Sequence, residues 1–176
     1  NIDIKNDPKQ NKQNVVDSIH EITATTSKAL IGSCGLSVQY AIMMGLIDDA
    51  NKHYPGKQIK IVVPPNCYGG TNDQARRVAA CLENVDILDL PVDGDNDMVQ
   101  STAQVLDQVA AEDAVPLIIA EIPTNPRVEV PDLQALRDAL SKERSTPAGN
   151  KAVDPVFILD QTFCPNVQFL SKTGIL

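Results

Sequence analysis

Five short apolar runs punctuate this chain, and the segments between them are about ten to sixteen residues long and of helical character. That alternation leaves few folds open. KALIGS (28–33), IKIVV (59–63), VDILDLPV (85–92), VPLIIAEI (115–122) and PVFILD (155–160) have the length and the Val, Ile and Leu content of buried strands. Between them lie GLSVQYAIMMGLIDDAN (35–51), TNDQARRVAACLE (71–83), DMVQSTAQVLDQVAAE (97–112) and PDLQALRDALSKE (131–143), the last expected to carry Pro131 in its first turn. VVDSIHEITATTSKA (15–29) reads as a helix followed by a loop, and the polar first dozen residues as a flexible arm. Strands that alternate with helices imply βαβ units. The expected class is α/β, a three-layer αβα arrangement around a mostly parallel sheet. Within TNDQARRVAACLE, Arg76 and Arg77 are expected outward, and Val78, Cys81 and Leu82 inward.

Composition narrows the partners. The formal net charge of −8 argues against nucleic acid, which requires a clustered basic face. No run reaches the ~18 apolar residues of a membrane span, and NIDIKNDPKQ is no signal peptide. Cys34, Cys67, Cys81 and Cys164 form no CxxC pair, so they read as reduced, buried thiols of a cytoplasmic protein and not as metal ligands. His20 and His53, the two histidines, both lie among helical residues, which leaves zinc and Ser-His-Asp chemistry poorly supplied.

In parallel α/β sheets ligands bind beyond the carboxyl ends of the strands. The residues to weigh are therefore Ser33 to Gly35, Asn66 to Thr71, Glu121 to Pro126 and Asp160 to Phe163. Each group reads two ways. IGSCGLS is either a small-residue turn or a helix N-terminus whose free amides, with Gly35, suit a phosphate. In CYGGTN, Tyr68 is either a rim residue or a stacking face with a phenol for proton transfer. EIPTNP fixes the direction of the Asn125 amide, for a ligand or for its own turn. Asp160 closes an apolar strand, where a carboxylate needs a cation or several donors. It is either a cap on the DQTF turn or the partner of a cation.

Taken in series, GSCGL, YGGT, EIPTNP and DQTF resemble the Cys/Met-metabolism enzymes that use pyridoxal 5′-phosphate (PLP): cystathionine γ-synthase, the cystathionine lyases and methionine γ-lyase. The resemblance runs from about Ser27 to Phe163. It implies the large-domain fold of fold-type I PLP transferases, truncated, and it implies roles for particular residues. Gly35 and Leu36 would give backbone amides to the cofactor phosphate. Tyr68 would stack on the pyridine ring and take part in catalysis by proton transfer. Asn125 would bond the ring's phenolic oxygen, and Asp160 would pair with the pyridinium nitrogen. No metal is implied. The implied activity is β/γ-elimination or γ-replacement on a small amino acid of transsulfuration metabolism, by way of an aldimine, in a homodimer or tetramer.

The chain also departs from that pattern. Cys34-Gly35-Leu36 stands where many members have Ser-Gly-Met, DQTF replaces Asp-Asn-Thr-Phe, and SKERSTPAGNKAVD (141–154) is a longer loop than usual. The Schiff-base lysine is expected roughly two dozen residues past the strand-end aspartate. Lys172, in SKTGIL, comes too early and lacks the preceding strand, so it reads as a surface lysine. The resulting expectation is an internal piece of a larger enzyme, inactive alone, with residues 1–27 an arm and helix and residues 28–176 an incomplete cofactor-binding core. Two other readings stay open. A catalytically silent relative is supported by the absent lysine, and a nucleotide-binding α/β module is opposed by the lack of G-x-G-x-x-G and of a P-loop.

Overall fold

The computed structural model describes residues 7–169 and residue 176. Helix α1 (Pro8–Thr23) begins within the segment expected to be an arm. The Asp7-Pro8 pair explains the early start. Asp7 Oδ1 accepts from the amides of Lys9 and Gln10 at 3.0 and 3.2 Å, and proline suits a first helical position because its missing N–H has no partner there anyway. No residue of α1 is buried, and its Val15 and Ile22 are exposed.

The strand expected in KALIGS (28–33) is not formed. Leu30 is 78% exposed, and residues 28–32 pair with neither edge of the sheet. An apolar run becomes a strand only where its N–H and C=O groups meet a ladder. This one instead leads into α2 (Gly35–His53), and a Cβ on Gly32 would stand 2.6 Å from Val38 Cγ2. The backbone there passes too close to α2 for any side chain.

The other four runs form β1 (Ile59–Val63), β2 (Val85–Asp89), β3 (Val115–Glu121) and β4 (Val156–Asp160), one all-parallel sheet in the order β2-β1-β3-β4. Between them come α3 (Gly69–Ala80), α4 (Met98–Ala111) and α5 (Leu133–Ser141). Alternate residues of the central strands face opposite layers. Ile61, Val63, Leu117 and Ile119 pack with Met43 and Ile47 of α2 and Ala75 and Val78 of α3. Val62, Ile118 and Ala120 pack with Leu106 and Val109 of α4 and Leu136 of α5. Each fully buried aliphatic side chain contributes about 1.5–3 kcal/mol, so β1 and β3 are the energetic centre of the domain. The result is the three-layer α/β arrangement expected.

Local chemistry sets the helix starts. Asp97 Oδ1 accepts from the Gln100 amide at 3.0 Å, and Asp132 Oδ1 from the Ala135 amide at 2.9 Å. Asp132 is thus the N-cap of α5, and Pro131 precedes the cap instead of sitting in the first turn. Asp132 can offer the exposed amides an acceptor, which proline cannot. The cysteine expectation also needs correction. All four thiols are free, but Cys34 and Cys81 are exposed and only Cys67 is buried. Cys81 follows the last residue of α3, where the helical face that would have turned it inward has ended. No helix among the described residues is long and apolar enough to cross a membrane.

The topology locates a site. From β1 the chain moves through α3 to β2 on one side, and from β3 through α5 to β4 on the other. The loops after β1 and β3 therefore diverge and leave a crevice at the carboxyl ends of these neighbours.

Candidate functional site

A cleft of about 420 Å³ opens at that crevice. Its lining includes all five sequence-predicted residues, Gly35, Leu36, Tyr68, Asn125 and Asp160, together with Gln39, Glu121 and Thr162. They come from the start of α2, the loop after β1, the turn after β3 and the end of β4.

At one wall is the N-terminus of α2. The first amides of a helix have no partner within it, and the macrodipole adds about half a positive charge. Cys34, the N-cap, is tied to the first turn: its amide donates to Ser37 Oγ at 3.2 Å, and Ser37 Oγ donates to the Cys34 carbonyl at 2.8 Å. Hydrogen bonding of the thiol to the Ser37 amide first, and to the Ser37 side chain next, holds Cys34 below its ordinary range. A Cβ on Gly35 would meet nothing within 4 Å, so the space before these amides is open.

Tyr68 precedes α3, its carbonyl accepting from the amides of Thr71 and Asn72 at 2.9 and 3.2 Å. The residue is 55% exposed, and its ring lies over Gly70, where an added Cβ would stand 2.6 Å from Tyr68 Cε1 and 3.0 Å from Leu36 Cδ2. The second glycine of YGGT thus makes room for the aromatic ring.

Two carboxylates complete the site. Asp160 Oδ1 accepts from the Thr162 amide at 3.0 Å and from Thr162 Oγ1 at 2.6 Å, and Asp160 Oδ2 accepts from Gln39 Nε2 at 3.0 Å. The DQTF turn cap is therefore real. It uses one oxygen, and a carboxylate offers about four lone-pair positions, so a place for a further donor is left. Glu121 is 7% exposed; its Oε1 accepts from the Tyr68 amide at 2.8 Å, and its Oε2 is buried with no hydrogen-bond partner. Burial, then the nearby Asp160 charge, pushes the Glu121 carboxyl above its usual range. Burial, reinforced by Glu121, pushes the neighbouring Cys67 thiol up to about 11.

Asn125 lines the cleft from a turn that Thr124 braces. The Thr124 amide donates to the Glu129 carbonyl at 2.9 Å, and the Glu129 amide donates to Thr124 Oγ1 at 3.1 Å. No lysine is among the described residues lining the cleft, and Lys172 lies outside the described residues. Gln39 escaped sequence reasoning, and Thr71, among the residues to weigh after β1, was assigned no role. A glutamine in the second turn of a mostly apolar helix carries no periodic signal, and only the docking of α2 beside β4 reveals its partner.

No protein-family model matches this sequence, and no curated protein does. Among solved structures, cystathionine gamma synthase from Xanthomonas oryzae pv. oryzae, determined in complex with cystathionine, aligns with a TM-score of 0.52 at 21% identity over 85% of this chain. The chain has the fold of cystathionine gamma synthase. It spans 31% of the length of that protein. MetB from Corynebacterium glutamicum aligns with a TM-score of 0.48 at 16% identity, over 83% of this chain and 30% of the other. Within the cystathionine gamma synthase fold, the cleft lies where the sheet topology diverges, between the ends of β1 and β3.

Proposed function

We propose that the cleft holds pyridoxal 5′-phosphate and that the protein acts on a small sulfur-containing amino acid or its γ-substituted precursor, by β/γ-elimination or γ-replacement. The observation that carries this reading is convergence. Residues spread from Gly35 to Asp160 in the chain line one cleft, each with the chemistry one part of the cofactor needs. The donor set fits the group: open helix amides for a phosphate, an exposed aromatic ring for stacking, and a carboxylate with acceptor capacity remaining for a ring nitrogen.

In this reading the amides of Gly35 and Leu36 bind the phosphate at the positive end of α2. The Tyr68 ring covers one face of the cofactor, and its phenol oxygen accepts and returns a proton near the cleft mouth. The Asn125 amide orients the ring through its phenolic oxygen, and Asp160 holds a proton on the ring nitrogen. Bound there, pyridoxal phosphate supplies an electron-withdrawing ring that stabilises negative charge next to the amino group of a substrate. Residues 28–176 are the cofactor-binding core in this proposal, residues 1–27 an arm and helix outside it, and the whole protein a homo-oligomer in the cytoplasm.

Titration with pyridoxal phosphate tests the reading. A saturable change in cofactor absorbance is expected, displaced by inorganic phosphate and weakened in Tyr68→Ala. No saturable change, or one indifferent to both phosphate and Tyr68→Ala, would sink it.

A further inference from the structure

Gln39 hydrogen-bonds Asp160 from another element, α2, and its contacts have a fixed sense. A carboxylate only accepts, so the amide atom 3.0 Å from Asp160 Oδ2 is the Nε2 donor. That turns Gln39 Oε1 toward Thr71, whose Oγ1 donates to it at 3.0 Å. Thr71 is fully buried in the first turn of α3, so no water competes for its hydroxyl. Hydrogen bonding runs one way, from Thr71 through Gln39 to Asp160 Oδ2. Asp160 Oδ1 is held from the opposite side by the amide and hydroxyl of Thr162. The carboxylate is thus held directly from α2 and from the turn after β4, with α3 acting on it through Gln39.

We propose that Gln39, oriented by Thr71, is a positioning residue that sets the Asp160 carboxylate for a cationic ring nitrogen in the cleft. This rests on the pyridoxal-phosphate reading and adds to it Gln39, which lies outside the strand-end set, and a role for Thr71, which lies within it. A turn cap alone leaves Oδ2 free to swing with the side chain, whereas the Gln39 amide fixes which edge of the carboxylate faces the cleft. A purely structural Gln39 would tie α2 to β4 and affect stability only.

The experiment separates the two roles with pyridoxal phosphate alone as the probe. Affinity is read by fluorescence, ring-nitrogen protonation by the nitrogen-15 chemical shift of labelled cofactor, and stability by urea titration. Gln39→Leu removes the donor and should weaken binding about tenfold, the cost of one hydrogen bond to a charged group. It should also move the ring-nitrogen shift toward the unprotonated value. Thr71→Val should move the shift the same way to a lesser extent, and Thr71→Ser, which keeps the hydroxyl, should restore it. If Gln39→Leu does not fold, the Thr71→Val and Thr71→Ser pair still decides. Wild-type affinity and an unchanged nitrogen shift in Gln39→Leu, or identical shifts in the two Thr71 variants, would overturn the positioning role while leaving the cofactor reading intact. Failure of the wild-type chain to bind the cofactor would overturn both.

Discussion

Glu121 and Asp160 stand in register at the carboxyl ends of adjacent parallel strands, so two carboxylates line one cleft side by side. Their surroundings differ. Asp160 accepts three hydrogen bonds, whereas Glu121 has one, from a backbone amide, and keeps one oxygen unpartnered.

The first prediction concerns pH. Burial and the Asp160 charge raise the Glu121 pKa in the folded chain, so over the interval above 4.5 the folded state binds more protons than the unfolded one. Stability therefore falls as pH rises from the ordinary glutamate range through the folded pKa, then levels off. Glu121→Gln should remove that fall. Urea midpoints measured across pH for both proteins check it, and parallel curves would show that Glu121 ionises freely.

Asp160→Asn should fold. The Gln39 amide can turn over to present its oxygen, with Thr71 then accepting, so the cost stays near 1 kcal/mol. Pyridoxal phosphate affinity should fall about tenfold to a hundredfold, the worth of a charged hydrogen bond of ~1.5–3 kcal/mol. Parallel urea and cofactor titrations separate the two effects. A large loss of stability with no loss of affinity would leave Asp160 a turn cap only.

Gly70→Ala should act on binding more than on folding. Its Cβ would stand 2.6 Å from the Tyr68 ring, and the ring, being exposed, can move into solvent. Stability should change by no more than about 1 kcal/mol, since alanine is the better helix former. Cofactor affinity should drop toward that of Tyr68→Ala. Equal affinity for Gly70→Ala and wild type would mean that the ring position does not matter.

Cys34 should be the first thiol modified. It is exposed, and its hydrogen bonds to the α2 turn favour the thiolate, whereas Cys67 is buried and shifted up to about 11. Mass-spectrometric mapping after brief iodoacetamide treatment near neutral pH should find Cys34 labelled ahead of Cys81, which is also exposed, and Cys67 only in urea. Added phosphate should slow Cys34 alone. Labelling of Cys81 first would remove the argument.

The parts of the fold legible in the sequence were those where local pattern and tertiary demand agree. IKIVV, VPLIIAEI and PVFILD are apolar on both faces because helices cover both faces, and each became a strand. KALIGS has the same local pattern but no ladder to join, a fact held by the rest of the chain and not by those residues. The start of α1 was readable from Asp7-Pro8 but was hidden behind the polar composition around it. The strand-end rule was enough to bring Tyr68, Asn125 and Asp160 to one cleft, whereas Gly35 and Leu36 reach it from a helix start with no strand before it, and Leu36 was named only through the family resemblance. Gln39 was invisible for the opposite reason. Its role depends on a contact across most of the chain, which no local window contains.

The Gln39–Asp160 bond joins residues 121 positions apart, from the helix before the first strand to the end of the last strand. An occupant that grips both the start of α2 and Asp160 would therefore hold together the earliest and latest pieces of the core. Its binding energy would count toward global unfolding, not toward one loop, by mass action on the native state. Thermal midpoint would then serve as a gauge of cleft occupancy, and a chain short of its ligand would be short of stability as well.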